Sequence, residues 1–181
     1  MALIKKKISP QDLGKVLYTN IRYGIMSSES PFNHNKLINN LNENPDNLKL
    51  KWSYSIEILI FAMYLSSETL MAKYPSSTGS EVMKGILSEF MAHIQPIVEP
   101  DLNTGTFEQI IQLIDNRFSE YCECLRNQES AGPTWHLGVK AYWNIIGQEK
   151  QEPGPPMILS VYALEFMDFI DNILNDYEIK E

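Results

Sequence analysis

Apolar side chains recur at helical spacing along almost every long segment of this 181-residue chain. Residues 106–126 show the pattern most clearly. Phe107, Ile110, Ile111, Ile114, Phe118, Tyr121, Cys122 and Leu125 follow one another at three- and four-residue steps, with Gln109, Gln112, Asn116 and Glu123 filling the other side. At about 100° per residue the apolar set forms one stripe, as a helix needs in order to dock on other helices.

The same reading extends in both directions. Ser9-Pro10-Gln11-Asp12 is a helix start, with a serine cap, proline at the first position and an acid in the first turn. The helix it opens runs to about residue 26, with Leu13, Val16, Leu17, Ile21 and Ile25 inward. Residues 33–47 hold seven asparagines around the short stripe Leu37, Ile38 and Leu41, which predicts a short helix with flanking loops. A helix capped by Thr78 or Ser80 buries Val82, Ile86, Leu87, Phe90 and Ile94, and Pro96 and Pro100 are expected to break it. Residues 135–146 form a shorter helix ended by Gly147. A proline-rich connection, 148–156, leads to the last helix, which runs to about residue 177 and turns Leu159, Tyr162, Ala163, Phe166, Phe169, Ile170, Ile173, Leu174 and Tyr177 inward.

Residues 48–74 are ambiguous by pattern. Leu48, Leu50, Trp52, Tyr54, Ile56, Ile58 and Ile60 alternate as a strand would, yet Ile56, Leu59, Ile60, Met63, Leu70, Met71 and Tyr74 also share a helical face. No other segment offers a partner strand, and a lone strand leaves its backbone groups unpaired. One long helix over about 51–74, apolar nearly all round, is therefore expected at the centre. The predicted fold is all-α, a single-domain bundle of six or seven helices around that helix, with residues 1–8 as a flexible arm.

Composition narrows the function less than the fold. A chain of this length buries about 70% of its unfolded surface, enough for a core without disulfide or metal. Cys122 and Cys124 point about 200° apart on a helix and do not bridge each other. The longest apolar run, 58–65, has eight residues, against the ~20 that span a bilayer. With no export signal in the opening residues, a cytoplasmic protein without a membrane partner is expected. Net charge is −8, with the excess of acids after residue 51. An acidic body repels a phosphate backbone, so nucleic acid is not the expected partner.

Candidate chemistry is sparse. Glu89 and His93 stand four apart on one helix face and suggest a Glu–His hydrogen bond; the Glu-x-x-His repeats of a di-iron bundle are absent from the chain, so neither metal nor cofactor is expected. No nucleophile elbow, phosphate loop or dinucleotide fingerprint occurs. The segment 132–144 is the most distinctive. It holds two of the three tryptophans; Trp135, Val139, Tyr142, Trp143 and Ile146 share a face, His136 and Lys140 an adjacent one, and Gly138 permits close approach of a backbone or ligand. Glu165 and Asp168 share the polar face of the last helix.

Two readings follow. The first is a non-enzymatic acidic protein, of the regulator, inhibitor or immunity type, that binds another protein through Trp135, His136, Lys140, Tyr142 and Trp143 or through Glu165 and Asp168, with homodimerisation through the last helix compatible. The alternative is a small-molecule binding protein or enzyme with an inter-helix pocket near 135–143, to which Tyr121 or Cys122 would contribute.

Overall fold

The computed structural model describes residues 5–43, 54–98, 107–126 and 133–180. The elements run β1 (Lys6–Ile8), α1 (Pro10–Met26), α2 (His34–Asn40), α3 (Tyr54–Lys73), α4 (Ser76–Val98), α5 (Phe107–Arg126), α6 (Pro133–Ile146), α7 (Gly154–Asn175) and β2 (Tyr177–Ile179). The protein is an all-α bundle. Ser9 caps α1 by accepting a hydrogen bond from the Asp12 amide at 3.2 Å, and Asn33 caps α2 through the amides of Asn35 and Lys36. Gly147 ends α6 with φ 71°, a conformation that glycine adopts without strain.

Helix α3 is the hub, packing against α1, α4, α5, α6 and α7. Every side chain from Ile56 to Ser66 on it is buried. Its length and apolarity would suffice to cross a bilayer, but 72% of its most apolar window is covered by the rest of the fold. Residues 54–60, where the strand-like alternation was strongest, are helical; residues 48–53 of that stretch lie outside the described residues.

Four expectations change. Residues 6–8 are not a flexible arm: β1 pairs in parallel with β2, in register Lys6↔Tyr177, Lys7↔Glu178 and Ile8↔Ile179. The last helix stops at Asn175, and Tyr177 belongs to that strand pair. Two three-residue segments distant in sequence carry no local signal of pairing. Helix α4 starts at Ser76, ahead of the expected cap, and continues through Pro96 to Val98. So near the end of a helix a proline costs little: its missing N–H leaves one carbonyl, four residues back, without a helical donor, and the few residues after it keep their own N–H groups. Ile111, placed on the apolar stripe of α5, is 42% exposed, since the covering helices reach only the centre of that stripe.

The closest helix pairs rest on glycine. A Cβ on Gly14 would lie 2.2 Å from the Val82 carbonyl oxygen, and one on Gly85 would lie 2.3 Å from that of Gln11. Helices α1 and α4 thus touch backbone to backbone. Gly138 does the same for α6 and α7, with its absent Cβ 2.3 Å from the Pro156 oxygen.

Candidate functional site

Helix α6 lies between α5 and α7, and its two long faces meet different fates. Leu137, Ala141, Tyr142, Ile145 and Ile146 are buried. Tyr142 donates from its hydroxyl to Glu43 Oε1 at 2.6 Å, and Lys150 Nζ donates to the same oxygen at 2.6 Å. Burial pushes the Glu43 carboxyl up, yet these two bonds and the Lys150 charge outweigh it and hold the group below the usual carboxylate range.

Trp135 and Trp143 are half-buried. The 148–156 connection folds back over them: the Trp143 indole N–H donates to the Lys150 carbonyl at 2.8 Å. Trp135, Val139 and Trp143 with Gln151, Glu152, Pro153 and Pro156 border a groove of about 290 Å³. Lys140 Nζ sits 6.0 Å from the centroid of the Trp143 ring and 3.7 Å from Glu120 Oε1. Lys140 is therefore engaged with α5 through Glu120 and with the Trp143 ring. His136 is half-buried and lines neither groove beside Trp143.

A polar network absent from the sequence reading crosses this seam. Glu57, only 2% exposed in the middle of the apolar α3, accepts from Arg117 Nε at 2.9 Å and Nη2 at 2.8 Å. Arg117 Nη1 also donates to Glu120 Oε2 at 3.2 Å, and Asn144 Nδ2 donates to that oxygen at 3.0 Å and to the Tyr121 hydroxyl at 3.3 Å. Burial opposes the Arg117 charge, but Glu57 outweighs it and keeps the guanidinium firmly protonated. The network joins α3, α5 and α6 and reaches the surface at a small polar cleft bounded by Arg117, Lys140, Trp143 and Asn144. One sequence signal pointed to it: a single carboxylate, Glu57, inside an isoleucine run requires a cationic partner.

The proposed inter-helix pocket is consequently divided. Tyr121 and Tyr142 are fully buried, and the tryptophans border a shallow groove. Cys122 and Cys124 pack half-buried against the core, and burial pushes the Cys124 thiol up, so it is a poor nucleophile. His93 makes no hydrogen bond to Glu89; its Nδ1 lies 2.6 Å from the Tyr18 hydroxyl instead.

Helix α7 presents the other face. Glu165 and Asp168 are exposed as expected, but beside them Met157 is 60%, Val161 50% and Leu164 53% exposed. These apolar residues recur at four- and three-residue steps, so they form a stripe of their own. Met157 and Val161, with Pro31, Phe32, Leu37 and Tyr162, line a groove of about 270 Å³ that Glu165 borders. Neither Glu165 nor Asp168 forms an ion pair among the described residues, whereas Asp171, one turn on, is held by Lys73 and Asn175. The stripe was legible as Met157, Val161 and Leu164 at helical spacing, but the broader inward face of the same helix concealed it.

The molecule is an all-α helical bundle with a buried central helix. Comparison with protein-family models, curated proteins and solved structures finds no match to this chain.

Proposed function

We propose that the protein acts by binding another protein through the exposed face of α7, and that the partner contributes an amphipathic helix with apolar anchors and basic flanks. The observation that carries this reading is the juxtaposition of Met157, Val161 and Leu164 with the carboxylates of Glu165 and Asp168, which form no ion pair among the described residues. Exposed large apolar side chains aligned on one helix, next to a groove that takes a side chain, are the usual form of a helix-binding surface. Carboxylates at its edge select a basic partner and steer its approach. A second copy of this chain fits less well, because self-pairing of this face brings like charges together within a molecule of net charge −8. The tryptophan helix is the weaker surface, since Tyr142, Lys140 and the Trp143 indole are already engaged within the fold.

The test compares capture from the native host by wild type, by Leu164→Glu and by a Glu165→Lys/Asp168→Lys variant, each first shown to be folded by circular dichroism. A partner with a basic helical segment, retained by wild type and lost by both variants, is the expected result. Its association rate measured by stopped flow should fall with added salt in wild type and lose that dependence in the charge-reversed variant. Equal capture by all three proteins overturns the reading, as does light scattering showing a stable homodimer that Leu164→Glu dissociates.

A further inference from the structure

A groove of about 830 Å³ lies between the C-terminal half of α1 and helix α4, within the ~300–1,000 Å³ typical of small-molecule sites. Tyr18, 3% exposed, lies at its inner wall with its ring edge-on to Phe90. Burial pushes the Tyr18 hydroxyl well above its ordinary range, so it stays protonated, and its oxygen lies within hydrogen-bond distance of His93 Nδ1, at 2.6 Å. Burial and the nearby Arg22 charge lower the His93 pKa, which favours the neutral ring. A neutral imidazole that accepts at Nδ1 carries its proton on Nε2. In the tautomer in which the Tyr18 hydroxyl donates to Nδ1, His93, which lines the groove, offers it an N–H donor at Nε2.

Arg22 lines the same groove, is exposed, and makes no ion pair or hydrogen bond among the described residues. It is close enough to act electrostatically on both Tyr18 and His93. Tyr23 and Met26, 62% and 37% exposed, supply an apolar rim. Glu89 is the one carboxylate among the lining residues.

We propose that this groove binds a small organic monoanion, with its carboxylate held by Arg22 and the Nε2–H of His93 and its apolar body covered by Tyr23 and Met26. A guanidinium meets a carboxylate with two parallel donors, and the neutral histidine adds a third without a second charge to desolvate. Glu89 limits the charge the groove accepts: it repels any anion there, and a doubly charged phosphate ester about twice as strongly as a monocarboxylate at the same distance. The site is independent of the α7 surface, so each stands or falls alone.

The experiment follows the histidine resonances of the full chain by NMR during titration with 3-phenylpropionate, phenyl phosphate or phenethylamine, with His34 and His136 as controls in the same spectrum. Saturable movement of the His93 signals by 3-phenylpropionate is expected, together with a rise in the pH at which His93 protonates. Phenyl phosphate should bind more weakly, and Glu89→Gln should narrow that gap. Arg22 is exposed, so Arg22→Gln should remain folded while losing affinity for the acid by about ten-fold or more. Absence of a saturable His93 shift, full binding in Arg22→Gln, tighter binding of phenyl phosphate than of the acid, or equal binding of phenethylamine would each overturn the proposal.

Discussion

Glu57 is the only charged side chain in the buried set of the described residues, and its position decides what α3 tolerates. Burial raises its pKa, and Arg117 draws it back only part of the way. Such a pair is costly to break, because the remaining charge is stranded in a low-dielectric interior. Arg117→Met should therefore lower unfolding stability by about 3–5 kcal/mol in urea titrations, while Glu57→Leu/Arg117→Met together should cost much less. If the double variant loses the sum of the two single losses, the two groups act independently and the network has been misjudged.

His93 supplies a pH dependence at the same scale. Burial, then the Arg22 charge, depress its folded pKa below the ordinary 6.5. Folding therefore favours the neutral ring, and the unfolded chain binds the extra proton first as pH falls. The His93 contribution to stability is complete above about pH 6.5 and is lost as pH falls through the lower folded pKa. Denaturant midpoints stepped from neutral to mildly acid pH should fall in wild type and fall less in His93→Gln. Parallel curves for the two proteins would refute this assignment.

Among the elements, the α1–α4 pair depends on two glycines and tolerates no Cβ at either. Gly14→Ala and Gly85→Ala each gain helix propensity but force a methyl group into a facing backbone, so a net loss of about 1–3 kcal/mol is expected. Gly24 provides the contrast. It is buried in the same helix, yet a Cβ there would meet nothing closer than 3.9 Å. Gly24→Ala should therefore stabilise by about 0.5–1 kcal/mol. Thermal melts of the three variants separate the effects, and a uniform response would mean that propensity rather than approach distance governs these positions. The amphipathic stripes of α1 and α5 were readable because their periodicity is local. The exposed stripe of α7 was not separated from the inward one, because both consist of the same residue types and only the packing on α3 and α6 tells them apart.

For the whole molecule, the consequence of α3 touching five other helices is cooperativity. With Trp52→Phe, fluorescence reports α6 alone through Trp135 and Trp143, whereas far-ultraviolet circular dichroism reports all helices. The two urea transitions should coincide, and Leu59→Ala, at a site 1% exposed, should shift both together by about 2–5 kcal/mol. Separated transitions would show that α6 and α7 unfold apart from the remainder.

What the chain determines by itself is the helical class, the central place of the 54–73 segment and the start signal at Ser9. These follow from side-chain periodicity and capping, which act within a few residues. Tertiary structure alone decided that Lys6–Ile8 pairs with Tyr177–Ile179, that Glu57 meets Arg117 sixty residues away, and that His93 meets Tyr18 rather than Glu89. It also determined which aromatic residues of α6 are engaged and which apolar residues of α7 stay open. Pairings of that kind depend on where helices cross, and crossing is set by the volumes of side chains from several segments at once, down to the missing methyl groups of Gly14, Gly85 and Gly138.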